Sequence, residues 1–380
     1  MPGVSEGRAE VSSGARETVR HRTGSGSASI RGLRGGSVLL WLVAVLLEGL
    51  TFPTGAQDND PGKAIEAIQQ QVRTVFEKCQ AAVVKIEAVD NHGRLSGTGF
   101  FIDPNGTLYT SYSVGGETRD IVVTLDNVRH SATRIVSDLR SGVAILKIQA
   151  ATPFLVFGKS RDLSVASPVI TIGYPMDLPA SPSFGFVAGF DIKYLGRYFA
   201  TSHVRANLPV QRGQGGAPLL NLHGEVVGIL ISSLDQGSAS FALPIEAAEK
   251  VRKDFLRFRE VRRGWLGLEI EAISQAVDGS TAGVKDVFAD SPAHKAGIRA
   301  GDVLLLVGQH QVRTPEDVLD AAFYLTADDE VPLRISRNEE KIELKAQPID
   351  HPDDLSALRR LAPAFPSGPE LPLQPPRDGR

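Results

Sequence analysis

The chain has 380 residues, of which 42% are hydrophobic and 22% charged, a composition typical of a soluble globular protein of two or three domains. Lys and Arg number 41 and Asp and Glu 44, so the formal net charge is -3, and no basic block predicts a nucleic-acid partner. Cys79 is the single cysteine, which excludes an internal disulfide and a multi-cysteine metal site. There is no His-x-x-x-His pair, and Pro218 follows the Gly-rich stretch 213–216 where a phosphate-binding loop needs a helix. We therefore expect no metal and no cofactor.

Residues 1–56 predict an export signal. Two arginines precede the uncharged apolar run 38–47, whose length is typical of a signal-peptide core and short for a bilayer-spanning helix. Small residues at Thr54–Ala56 fit a cleavage site, so we expect an exported chain that begins near Gln57 and acts in the periplasm or outside the cell. An uncleaved membrane anchor at residues 38–50 is the alternative.

A first domain is predicted over residues 57–260. Apolar residues spaced by three and four predict a helix from Pro61 to Ala82, with Cys79 buried on its apolar face. From Val83 the chain changes to short β-rich runs separated by turn residues, which is typical of a barrel or sandwich. A second helix, Ile245 to Phe258, closes this domain.

A smaller unit is predicted over residues 261–349, with two short helices among its strands. Ser291-Pro292 and Thr314-Pro315 each place a capping side chain before a proline at the first helical position. The tail, residues 350–380, is rich in proline and is expected to be extended and mobile.

Several motifs carry a family resemblance: GTGFFIDPNG at 97–106, AILKI at 144–148, IGYP at 172–175, GQGGAPLLN at 213–221 and FALPI at 241–245. In this order and spacing they resemble the protease domain of HtrA/DegP-type serine proteases. GWLG at 264–267 and SPAHKAGIRAGD at 291–302 resemble the PDZ domain that follows the protease in that family. The resemblance covers residues 62–348 and implies a mainly β fold, a trypsin-like double β-barrel followed by a small α+β PDZ domain.

The resemblance does not extend to the catalytic residues. The family uses a Ser nucleophile, a His base and an Asp that orients the imidazole, and each role needs its own side chain. By alignment of the motifs, Ser113 stands in the His position, Gly142 in the Asp position and Gly215 in the Ser position. This implies a pseudo-protease. The other histidines of the domain and Asp138 are not expected to rebuild the triad; those histidines are His92, His130, His203 and His223.

Two binding sites are still expected. The backbone N–H groups of Gly213, Gln214 and Gly215 are candidates for an oxyanion-like hole, and either a bound carbonyl or carboxylate or an empty, decayed cleft is consistent with them. The PDZ resemblance implies capture of an extended C-terminal peptide, with its carboxylate on the loop Trp265, Leu266, Gly267 and Leu268 and with Val318 and Ala322 on the facing helix. The alternative is a PDZ domain that only packs against the first domain or another subunit.

The sequence therefore predicts an exported, catalytically inactive protein with an adaptor, chaperone-like or regulatory role. Its expected partners are peptides, unfolded proteins and protein C-termini, with a homo-oligomer or an assembly with an active relative as further partners. One alternative is a serine endopeptidase of the HtrA/DegP class that acts in protein quality control through an unrecognised catalytic set. Another is a regulatory subunit of an active relative. Fold alone does not decide among these functions.

Overall fold

The computed structural model of the chain describes residues 61–350, except Gly196 and residues 235–238. The predicted export signal and the proline-rich tail lie outside these residues. The described residues fall within one compact unit, Pro61–Arg380. No helix in this described part of the chain is both long and apolar enough to cross a bilayer.

The first domain opens with the helix α1 (Pro61–Cys79) and a short 3-10 turn (Gln80–Ala82). Seven strands and one short helix follow: β1 (Val83–Val89), β2 (Arg94–Phe101), β3 (Thr107–Ser111), α2 (Tyr112–Gly115), β4 (Arg119–Leu125), β5 (Val128–Ser131), β6 (Thr133–Asp138) and β7 (Val143–Lys147). The strands form one antiparallel sheet in the order β5-β4-β1-β2-β3-β7-β6.

The second half of this domain is a closed six-stranded barrel. Its strands are β8 (Pro168–Gly173), β9 (Ser181–Tyr194), β10 (Arg197–Ala206), β11 (Pro218–Leu220), β12 (Val226–Leu234) and β13 (Ala239–Pro244). They pair in the order β10-β13-β12-β11-β8-β9. The helix α3 (Ile245–Phe258) ends the domain.

One apolar cluster joins both halves of the first domain. Val75 and Cys79 of α1, Tyr109 of β3, Ile229 of β12 and Val251 of α3 are all buried in it. Cys79 is 1% exposed, which confirms its predicted burial. Burial and the nearby Glu249 carboxylate, which accepts the Tyr109 hydroxyl, raise the pKa of Tyr109 well above its ordinary value. The core therefore lies between the two sheets and is closed by both helices.

The second domain mixes a six-stranded sheet with two helices. Its elements are β14 (Gly264–Trp265), β15 (Leu268–Val277), β16 (Ser280–Val287), α4 (Pro292–Lys295), β17 (Val303–Val307), β18 (His310–Gln311), α5 (Pro315–Phe323), β19 (Val331–Arg337), β20 (Glu340–Ala346) and β21 (Ile349–Asp350). The sheet order is β15-β16-β17-β19-β20 with β18 on β17, and β14 pairs with β21. The architecture confirms the predicted fold class. Both predicted caps are also confirmed, since Ser291 accepts the His294 N–H and Thr314 accepts the Asp317 N–H.

Polar contacts hold the second domain against the first. Asp254 of α3, 4% exposed, accepts the Thr326 hydroxyl at 3.0 Å. Asp320 of α5 accepts the Ser202 N–H of β10 at 2.7 Å. The helix α5 therefore turns one side toward β10, and this fixes which of its side chains remain open to solvent.

Candidate functional site

Two of the three positions aligned with the catalytic residues face each other. Ser111 ends β3, and Ser113 lies two residues later in the short helix α2, with its hydroxyl 2.9 Å from that of Ser111. A Cβ atom placed on Gly215 would lie 3.3 Å from Ser111 Oγ and 3.8 Å from Ser113 Oγ. A side chain at position 215 would therefore point at these hydroxyls, in the arrangement that a nucleophile and its base require.

The third position, Gly142, adjoins α2 through the backbone only. Its carbonyl accepts the Tyr112 N–H at 2.6 Å. Its φ is +78°, a conformation that L side chains rarely adopt, and a Cβ there would lie 3.3 Å from the Ile231 side chain. An aspartate at this position would meet an apolar side chain and a strained backbone.

The loop that carries Gly215 is ordered by its own hydrogen bonds. The Gln214 N–H donates to Gln211 O at 3.2 Å, and the Gln211 N–H donates to Gln214 Oε1 at 2.7 Å. Gly213 has a φ of +93°, and its carbonyl accepts the Thr98 hydroxyl at 2.7 Å. In this structure the Gln214 N–H, one of the three predicted for an oxyanion-like hole, is used inside the loop. The N–H groups of Gly213 and Gly215 enter no hydrogen bond with the described residues, so they are the remaining candidates.

The histidines of the first domain lie on elements other than β3, α2 and the loop of Gly215. His203 lies on β10 and is 1% exposed, with Nδ1 2.7 Å from Thr201 O and Nε2 without a hydrogen-bond partner among the described residues. Burial lowers the pKa of His203 to about 4, which makes it a weak base at neutral pH. His92 and His223 lie in exposed turns, and His130 lies on the edge strand β5.

Asp138 has a structural partner that sequence reasoning missed. Its side chain is 6% exposed, accepts the Ser141 N–H at 3.0 Å and pairs with the Arg263 guanidinium at 2.5 Å. Arg263 precedes β14, so this ion pair ties the start of the second domain to the turn that contains Gly142. No sequence signal links two residues 125 positions apart, and only the folded chain brings them together.

The candidate groove of the second domain lies beside β15. This strand is an edge of the sheet and pairs with β16 on one side. In the loop before it, the carbonyls of Leu266 and Gly267 accept the N–H groups of Ala293 and Phe288 at 2.9 and 3.0 Å. The Leu266 and Gly267 N–H groups enter no hydrogen bond with the described residues. Gly267 has a φ of +79° and permits close backbone approach.

The helix α5 presents a different residue from the one predicted. Val318, expected to line the groove, is 8% exposed and packs with Ala321 and Leu266, so it does not lie on the exposed face of the helix. Leu319 is 51% exposed, and Ala322, one turn later, is also exposed as expected for a groove residue. Apolar residues lie on two sides of this short helix, and periodicity alone did not show which side faces outward.

Comparison with known proteins identifies both domains. Residues 97–229 match the trypsin-like peptidase domain family, and residues 264–347 match the PDZ domain family. The chain therefore carries a trypsin-like peptidase domain followed by a PDZ domain. Among the described residues, no group of three or more His, Cys, Asp or Glu side chains is placed to hold a metal ion.

Two bacterial relatives have the same description, probable periplasmic serine endoprotease DegP-like. The Chlamydia pneumoniae protein is 30% identical over 283 residues, covering 70% of this chain and 57% of its own length. The Pseudomonas fluorescens protein is 32% identical over 282 residues, covering 69% of this chain and 58% of its own length. The chain thus spans less than two thirds of these relatives.

Solved structures share the fold. The HtrA-type protease AlgW with a tripeptide has a TM-score of 0.61 and 21% identity, with 74% of this chain and 97% of that chain covered. AlgW with a decapeptide has a TM-score of 0.57 and 21% identity, with 74% of this chain and 99% of that chain covered. At this identity the likeness concerns the fold.

Proposed function

We propose that this protein captures polypeptide C-termini in its PDZ groove and does not hydrolyse peptide bonds through its protease domain. The observation that carries the proposal is the contrast between the two sites. The edge of β15 is open, and the Leu266 and Gly267 N–H groups before it enter no hydrogen bond with the described residues. The facing positions of the cleft hold only serines and glycines.

The groove has the parts that strand addition requires. An extended peptide pairs through its main chain with an open sheet edge, and loop N–H groups hold its terminal carboxylate. Here β15 supplies the edge, Leu266 and Gly267 supply the N–H groups, and Leu319 and Ala322 supply an apolar wall. Both AlgW structures contain a peptide, which supports peptide binding by this fold here.

The cleft lacks a group that can activate a nucleophile. A serine hydroxyl stays protonated at neutral pH and needs an adjacent base. Ser111 and Ser113 offer each other only a hydroxyl, and Gly215 has no side chain. Even an otherwise intact protease without its triad retains only about 10³–10⁴-fold catalysis over water.

The names of the relatives favour a second candidate, a serine endopeptidase of the HtrA/DegP class in protein quality control. That candidate requires a catalytic set outside the aligned positions. The relatives' descriptions also support a periplasmic location, and we include export in the proposal, with residues 38–47 as a signal core or 38–50 as an anchor. Self-association or assembly with an active relative is part of the same proposal.

Hydrolysis of a fluorogenic peptide and of unfolded casein separates the two candidates. We expect no turnover by the wild type or by Gly215→Ser, and no labelling of either by a serine-directed covalent probe. The triple variant Ser113→His, Gly142→Asp and Gly215→Ser should also be inactive, because position 142 has a positive φ and faces Ile231. The endopeptidase would be established if wild-type turnover survived purification to homogeneity and were lost in Ser111→Ala or Ser113→Ala. The control Ser164→Ala, at an exposed serine, should then keep that turnover.

Titration calorimetry of the full chain tests the groove. Peptides with an apolar, free C-terminus should bind with a dissociation constant of about 1 μM, and their amidated forms should not bind. Leu319→Asp should abolish binding because it puts a charge on the apolar wall. Leu256→Asp, a matched change at a similarly exposed leucine of α3, should leave binding unchanged. Equal binding of amidated peptides would contradict the carboxylate mechanism.

A further inference from the structure

The two faces of β15 differ in character. Leu268 and Ile270 pack against the core of the PDZ domain, on the side of α5. Because successive side chains of a strand point to opposite faces, Glu269 and Glu271 lie on the other face. The same strand therefore offers an apolar row on one side of the open edge and an acidic row on the other.

The acidic row is only partly neutralised. Glu269 lies opposite Asp286 on β16, and its carboxylate contacts Lys285 Nζ at 2.5 Å in a pair whose side chains are 38% and 53% exposed. Such exposed ion pairs contribute little to stability, so the pair leaves much of the acidic character of this face in place. Glu271 is exposed, lies opposite Gly283 and forms no ion pair with the described residues. Three carboxylates thus share one ammonium group beside the open edge.

A captured peptide has a fixed direction. Its carboxylate is held by the loop that precedes β15, so its C-terminal residue lies beside the start of the strand and its chain runs antiparallel to β15. The side chains of the peptide also alternate. Those of its last and third-from-last residues then face α5 and Leu319, and those of its second and fourth residues from the end lie beside Glu269 and Glu271.

We propose that the groove selects, among apolar C-termini, those with lysine or arginine at the second and fourth positions from the end. This inference rests on the proposed function of the groove and adds its specificity. Opposite charges that face each other across strands stabilise the pairing, and like charges destabilise it. Each favourable pair should tighten binding by about two- to fivefold.

Fluorescence anisotropy with the full chain tests the specificity on three peptides. The peptides share the same apolar residues and carry Lys, Gln or Glu at both the second and the fourth position from the end. We expect the Lys peptide to bind tighter than the Gln peptide, and the Gln peptide tighter than the Glu peptide. The Lys and Glu peptides should differ by about tenfold or more at low salt. The difference should shrink at high salt because the charges are exposed to solvent.

A double variant locates the effect. Glu269→Gln with Glu271→Gln should bring the affinities of the three peptides together, whereas Glu340→Gln with Glu343→Gln, on the opposite edge strand β20, should leave their order unchanged. Equal affinities of the three peptides for the wild type, or tightest binding of the Glu peptide, would refute the specificity and leave the groove itself in place. Failure of all three to bind would instead refute the proposed groove and the specificity with it.

Discussion

The buried imidazole of His203 should make the stability of this protein depend on pH. Its pKa of about 4 in the folded chain compares with an ordinary value of about 6.5. Between these values the unfolded chain binds a proton and the folded chain does not, so the free energy of unfolding falls as the pH falls from about 6.5 to about 4. Each unit of pKa difference corresponds to about 1.4 kcal/mol, so His203 alone should account for a loss of about 3 kcal/mol across this range.

Replacement of His203 should remove this part of the pH dependence. His203→Phe keeps the stacking on Phe199, whose ring centre lies 4.3 Å from the imidazole, and His203→Asn keeps a hydrogen-bond donor near Thr201 O. Urea unfolding followed by circular dichroism at about pH 7 and about pH 4.5 gives the difference between each variant and the wild type. Both variants should lose less stability at acid pH than the wild type, whereas His223→Gln, at an exposed turn, should match it. An unchanged pH slope in both His203 variants would refute the reasoning.

Two further changes test the loop and the domain contact. Gly267→Ala should abolish peptide binding at unchanged protease-domain stability, because an added Cβ at a φ of +79° would overlap the Ser291 side chain; retained binding in calorimetry would contradict this. Asp254→Ala should lower the free energy of unfolding by about 3–5 kcal/mol, because it leaves the buried Lys250 ammonium without the carboxylate that lies 2.5 Å away. Denaturant unfolding measures the loss, with Asp329→Ala at an exposed ion pair as the control; equal losses in the two variants would refute the buried-pair argument.

Local features of this protein could be read from its sequence. The helix caps at Ser291 and Thr314 depend on the short-range geometry of a side chain and the N–H group three residues on, so the sequence predicted them correctly. The burial of Cys79 followed from helical periodicity. The spacing of the motifs was sufficient to align Ser113 and Gly215, which the fold then brings together across the cleft.

Other features depended on contacts between distant parts of the chain. The outward face of α5 is Leu319 and Ala322 rather than Val318, because the docking of Asp320 on β10 and the packing of Val318 in the core fix the rotation of the helix. Periodicity cannot give that rotation when a short helix is apolar on two sides.

In the protease cleft, too, some properties follow from the sequence and others only from the folded chain. Residue identities alone place Ser113, Gly142 and Gly215 at the positions that the motifs align with the family's catalytic residues. Three other properties of the cleft depend on the folded chain. Gly142 has a positive φ, and the Gln214 N–H is used within its own loop. Asp138 is paired with Arg263, a residue of the segment that leads into the second domain. These properties arise when distant segments meet, since an ion pair or a strained turn is stable only where the surrounding packing holds it.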